Sequence, residues 1–216
     1  MSLPLPMRNR LADLILESLH EERARAGLRA LVAVCDDPRA LDGAAVLPEK
    51  FPGDFFERQP NGLHMRRGWE AHAEEFCGRA RRGWAVVRAR ALDPQPAPLS
   101  AALAAAARLF DAGLFFEVHE QLEPYWLHAE GRERETLQGL IQVAVGFQHL
   151  ANGNLPGARA LLQDGAAKLR AGAIPSLDLP AFADAVERCR QGLAERSDSP
   201  SPFDWTQVPE FPVARG

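Results

Sequence analysis

Phe115-Phe116-Glu117-Val118-His119-Glu120-Gln121-Leu122-Glu123-Pro124-Tyr125-Trp126-Leu127-His128-Ala129-Glu130 lies between Gly113 and Gly131. At about 100 degrees per residue, a helix places Phe115, Phe116, His119, Leu122, Glu123, Trp126 and Leu127 in one broad arc. That arc reads as the core face. Glu120 falls at its edge, Glu117 turns further outward and Tyr125 lies off it. An imidazole and a carboxylate four residues apart on an apolar surface need partners, because burying either alone costs several kcal/mol.

The flanking punctuation extends the helical reading in both directions. Ser100 is placed to cap a preceding helix bearing Leu103, Ala107 and Phe110, which Gly113 ends in the left-handed conformation. Gly131 reads as a second C-terminal glycine. A third helix spans Arg132 to Ala151 and stops at Asn152-Gly153, Asn154 caps a fourth through Leu161, Leu162, Ala166 and Leu169, and a last helix starts near Asp178. The expected fold is all-α, a compact bundle or array of about four to five helices in the second half of the chain. Its N-terminal half is expected to be mainly helical and loop-rich.

Pro94, Pro96 and Pro98 interrupt both helix and strand, so residues 93–98 read as a linker. The expected organisation is an N-terminal region over 1–92, the linker, a helical domain over 99–195 and a Ser/Pro-rich tail over 196–216. Before the linker, Leu11, Leu14, Ile15 and Leu19 have helical spacing, continued by Leu28, Leu31, Val32 and Cys35 after Gly27, as one helix or a broken pair. Residues 36–62 are rich in Pro, Gly and Asp and read as mostly loop with at most one short helix. Trp69, His72, Ala73 and Phe76 share a face of a helix running to about Arg81, and residues 84–91 fit helix or strand. In the tail, Phe203, Trp205 and Phe211 are the residues able to pin an otherwise disordered segment.

Composition narrows the function classes. A formal net charge of -4 argues against nonspecific nucleic-acid binding, which needs a basic surface. The uncharged stretch from Thr136 to Ala158 contains Gln138, Gln142, Gln148, His149 and an Asn-Gly-Asn break, too polar and short for a membrane span. Cys35, Cys77 and Cys189 are odd in number and far apart, suggesting neither a disulfide framework nor a thiolate zinc site and favouring a reducing cytoplasm. Met1 to Arg10 lacks a signal-peptide core. Phosphate-binding glycine loops and a G-x-S-x-G elbow are absent from the sequence.

His119-Glu120-Gln121-Leu122-Glu123 reads H-E-x-x-E, one change from the H-E-x-x-H helix that binds zinc through residues four apart. Carboxylate replaces imidazole as a ligand, so His119 and Glu123 are candidate metal ligands with His149 as a third, and Glu120 is the candidate general base. The third helix carries a polar stripe of Gln138, Gln142 and His149. With Glu117, Phe116 and Trp126, Gln138 and Gln142 complete a candidate pocket. The alternative is a hydrogen-bond network that only organises helix packing. Tyr125 and His128 are expected to be peripheral, His64 and His72 to be packed rather than ligating, and Glu133-Arg134-Glu135 to form a solvated first turn.

The run Leu109-Phe110-Asp111-Ala112-Gly113-Leu114-Phe115-Phe116-Glu117-Val118-His119-Glu120 through Trp126, with Leu137-Gln138-Gly139-Leu140-Ile141-Gln142, His149, Gly153, Asn154, Gly157 and Ala158, resembles the domain of unknown function 309 family. The resemblance covers roughly 99–170, implies an all-helical fold there and is silent on residues before the linker. Members are often labelled predicted metal-dependent hydrolases. Together these readings give three expectations. The first is a hydrolase of a small substrate using a divalent metal (zinc, manganese or iron). The second is a non-enzymatic scaffold or interaction module, and the third a metal-free small-ligand binder. A homo-oligomer is compatible with each, and neither nucleic acid nor membrane is an expected partner.

Overall fold

The computed structural model describes residues 2–41, 46–195 and 203–213. The chain divides into two compact units, Met1–Ala97 and Pro98–Gly216. Eight α-helices and one two-stranded hairpin are present among the described residues. None of the described helices is long and apolar enough to cross a membrane.

In the first unit, α1 (Leu5–Glu17), α2 (Glu22–Asp36) and α3 (Ala73–Val87) pack on one another. Their inward faces carry Leu11, Leu14, Ile15, Leu28, Leu31, Phe76 and Ala80, all almost fully buried. The helix break falls at residues 18–21 and not at Gly27, which lies inside α2. Gly27 is small for another reason: a Cβ there would meet the Lys50 carbonyl carbon at 2.9 Å.

The described residues between 37 and 52 are loop and Gly53–Phe55 forms one short helix, as expected, but the segment ends in a strand that the sequence reading missed. Strand β1 (Phe56–Gln59) pairs antiparallel with β2 (Gly62–Met65), joined at Pro60-Asn61 and seated where the Leu63 amide donates to the Pro38 carbonyl at 2.8 Å. Gly62, at φ +129°, supplies the conformation that brings the chain out of the Pro60-Asn61 loop, and β2 buries Leu63 and Met65 in alternation. A second correction concerns the cysteines: Cys35 at the end of α2 and Cys77 in α3 form a disulfide, with Cα atoms 5.6 Å apart. The cytoplasmic expectation rested in part on unpaired cysteines and loses that part of its support. Cys189 remains free and buried.

The second unit is an array in which α4 (Leu99–Asp111), α5 (Phe115–His128), α6 (Gly131–Ala151), α7 (Leu155–Arg170) and α8 (Leu179–Glu195) each pack on the next. Short connections make sequential helices antiparallel neighbours. Pro98, not Ser100, occupies the N-cap of α4, and no side chain caps it. Gly113 turns the chain out of α4 at φ +70°, which glycine adopts at little cost. Gly131, also left-handed, opens α6 rather than closing α5. The Asn154 side chain caps α7 by accepting the Gly157 amide.

Phe110 is the centre of the core, with Phe115, Phe147, Phe182 and Phe211 rings at 5.2 to 5.8 Å in edge-on arrangements. Such pairs add about 0.5 to 1.5 kcal/mol each beyond area burial. Where α6 meets α7, a Cβ on Gly165 would lie 2.9 Å from the Gly139 carbonyl oxygen, so these backbones approach more closely than any larger residue permits. The described part of the tail is pinned, as its aromatics suggest. Phe211 is buried, its amide donates to Asp111 Oδ1 at 2.9 Å, and Trp205 stacks on Phe115 at 6.3 Å. The rest of the tail, residues 196–202 and 214–216, lies outside the described residues.

Candidate functional site

Helix α5 is held inward by Phe115, Val118 and Leu122, together with Glu117, all buried. The face is therefore rotated relative to the arc drawn from the sequence. Glu117, expected to turn outward, is 0 % exposed, whereas Leu127 is 57 % exposed. Glu117 is engaged by a neighbour rather than left alone, as the cost of an unpaired buried carboxylate requires.

His119, Glu120 and Glu123 occupy the shoulder between core and solvent, with 28 %, 34 % and 41 % of their side chains exposed. Candidate ligand atoms of all three lie within 4.8 Å of one another. His119 Nδ1 is 3.1 Å from Glu120 Oε1, and Nε2 is 3.9 Å from Glu123 Oε1. The imidazole thus has one nitrogen beside each carboxylate. Two ligands held about 2.1 Å from one tetrahedral ion lie about 3.4 Å apart, so the Nε2 to Glu123 gap closes with a small side-chain adjustment. One imidazole and two carboxylates form a donor set suited to zinc, manganese or iron.

Pro124 adds a feature the helical wheel omits. It lies inside α5 and has no N–H to give to the Glu120 carbonyl, one turn back. The Glu120 carbonyl oxygen is thereby left without its helical donor. The signal was visible as a proline within an otherwise periodic run.

Two contacts fix the register of α5 against α6: Phe115 stacks on Phe147 at 5.5 Å, and the Arg134 guanidinium lies 4.5 Å above the Trp126 ring. Between these rungs the antiparallel rise puts Gln142 near the height of His119, and Gln138 near that of Glu123. Both glutamines are half-buried, and Gln142 Oε1 is buried without a hydrogen-bond partner. The Trp126 indole Nε1 is likewise buried and unpartnered. Phe116 flanks the group with its ring 6.2 Å from that of His119.

His149 does not join the group. It lies in the last turn of α6, with Nδ1 2.7 Å from Asn154 Nδ2, at the junction with α7. Its role there is to fasten the α6–α7 turn, and the sequence had aligned it with Gln138 and Gln142 by periodicity alone. Arg134 also departs from expectation. Besides covering Trp126 it donates from Nη1 to the Trp126 carbonyl at 2.9 Å and to those of Leu127 and Ala129 at 3.4 Å, closing the C-terminal end of α5.

Residues 103–161 match the family Domain of unknown function (DUF309). The DUF309 segment runs from inside α4, through α5 and α6, to the middle of α7. It therefore contains His119, Glu120, Glu123, both glutamines and the buried Glu117. No curated protein and no solved structure matches the chain.

Proposed function

We propose that the DUF309 segment binds a divalent metal at the α5 shoulder and hydrolyses a small substrate there. The observation carrying this reading is the convergence of His119, Glu120 and Glu123 ligand atoms within 4.8 Å on a partly exposed surface. A cluster that only organised packing would be sealed, since its specificity comes from the cost of leaving buried polar groups unpaired. In α5 that description fits Glu117, at 0 % exposure.

In this reading His119 Nε2 and Glu123 would hold the ion, while Glu120 sits on the far side of the imidazole. A carboxylate beside Nδ1 keeps the proton on that nitrogen and leaves Nε2 free to ligate. If the Glu120 side chain instead turned from Nδ1 toward the ion, it would serve as the base that takes a proton from an attacking water. A bound divalent ion would supply a water of lowered pKa and polarise the scissile group. Gln142 and Gln138, at the same height on α6, would orient the substrate through their carboxamides.

The metal-free ligand reading draws on Trp126 Nε1 and Gln142 Oε1, a donor and an acceptor both buried without partners. Metal analysis separates the two. Protein purified without chelator or metal-affinity resin should carry stoichiometric zinc, manganese or iron, lost from a folded His119→Ala, Glu123→Ala variant. A metal-free parent that is stabilised by a small polar compound in a thermal-shift screen would replace the hydrolase reading with the binding one.

A further inference from the structure

We propose that Cys35–Cys77 is a site of reversible thiol–disulfide exchange with an external dithiol, and that its redox state controls how firmly the β1–β2 hairpin is seated. The bridge joins the end of α2 to α3 across 42 residues, and that interval contains the hairpin. Both cysteines are only half-buried, unlike the core residues around them. Cys189 is buried.

Two sets of contacts divide the consequences of cutting the bridge. The first set holds the helices: Leu28, Leu31, Phe76 and Ala80 are buried, and Arg81 donates to Asp36 Oδ1 at 2.8 Å and to the Cys35 carbonyl at 2.9 Å. These contacts do not depend on sulfur, so α2 and α3 remain packed after reduction. The hairpin is seated partly by rings that also do not depend on sulfur, Phe55 and Phe56 against Phe76, and partly by a second set of contacts at Pro38. Leu63 donates to the Pro38 carbonyl only three residues beyond Cys35, and Gly62 lies against Pro38 so closely that a Cβ would meet its carbonyl oxygen at 2.4 Å. Pro38 thus depends on the position at which α2 is tied off, and the bridge is the covalent part of that tie.

The exchange balances with the dithiol as reductant. One of its thiolates attacks a Cys sulfur, forming a mixed disulfide and releasing the other Cys as a thiolate. Its second thiol then displaces the first Cys, and the dithiol departs as a disulfide, oxidised by two electrons, while Cys35 and Cys77 each take up a proton.

The test compares the full-length oxidised protein, the dithiothreitol-reduced and alkylated protein and a Cys35→Ser, Cys77→Ser variant. Far-UV circular dichroism, intact mass and trypsin cleavage at Arg39, Arg58, Arg66 and Arg67 are read together. The expected result is two alkylated cysteines under native conditions, an unchanged helical signal and hairpin cleavage faster by about tenfold, reversed by reoxidation before alkylation. The double variant should cleave like the reduced protein. Equal cleavage rates in the two states would overturn the proposal. So would loss of helicity on reduction, which marks a structural staple, or free thiols at both positions before any reductant is added.

Discussion

Glu117 and His119 stand two positions apart on α5 and face opposite environments: Glu117 is wholly enclosed, whereas 28 % of the His119 side chain is exposed. The motif is thus divided between a residue that holds the helix in place and residues that face outward. Replacing Glu117 with Ala should destabilise the protein by about 2 to 4 kcal/mol, because it empties a fully buried position and removes the interaction made there. His119→Ala and Glu123→Ala should each change stability by no more than about 0.5 kcal/mol in metal-free protein. Urea unfolding of the three variants, after dialysis against chelator, checks the contrast.

Asp111 and the tail make a pH-dependent contact. Partial burial raises the Asp111 pKa above its ordinary 3.8, opposed by the hydrogen bond from the Phe211 amide and assisted by the nearby Glu210 carboxylate. An acid with a raised folded-state pKa binds its proton more tightly when folded. Stability therefore falls as pH rises from about 3.8 through the raised value. Asp111→Asn keeps an oxygen acceptor without the charge, so it should be as stable as the parent or more so at pH 7, with a flatter profile across that window. Asp111→Ala, which leaves the Phe211 amide unpaired, should be less stable at every pH. Thermal melts from pH 3 to pH 8 would show both trends.

The Cys35–Cys77 bridge closes a loop spanning 42 residues. Chain entropy alone assigns a loop of that length about 4 kcal/mol of stabilisation. Denaturant unfolding of the Cys35→Ser, Cys77→Ser variant should reveal a loss of at most this size, confined to the first unit.

Arg134 both stacks on Trp126 and serves the last carbonyls of α5. Arg134→Ala should cost about 1 to 2 kcal/mol, and Arg134→Lys should recover less than half of it, since an ammonium lacks the planar stacking surface and the fork of donors. Indole fluorescence during thermal unfolding is the direct readout, although three other tryptophans contribute to the signal.

The helices of the second unit were legible in the amino-acid sequence because their limits are set locally. Asn154 supplies its own capping oxygen, Gly113 its own left-handed turn, and the apolar period identifies α6 over nearly its observed length. The proximity of His119, Glu120 and Glu123 was equally readable, since spacing on one helix follows from the helix alone.

Only the tertiary structure decided which way that helix faces. A helical wheel fixes the angles between side chains but not their orientation toward a neighbour, so Glu117 and Leu127 were exchanged between inside and outside. His149 was separated from the glutamines because Asn154, beyond the next turn, holds its ring. The hairpin depends on Pro38, the disulfide on the approach of α2 to α3, and the buried Phe211 on an aromatic cluster drawn from α4 and α8. Each joins residues distant along the chain, where local propensity carries no information and burial of shared apolar surface selects the partner.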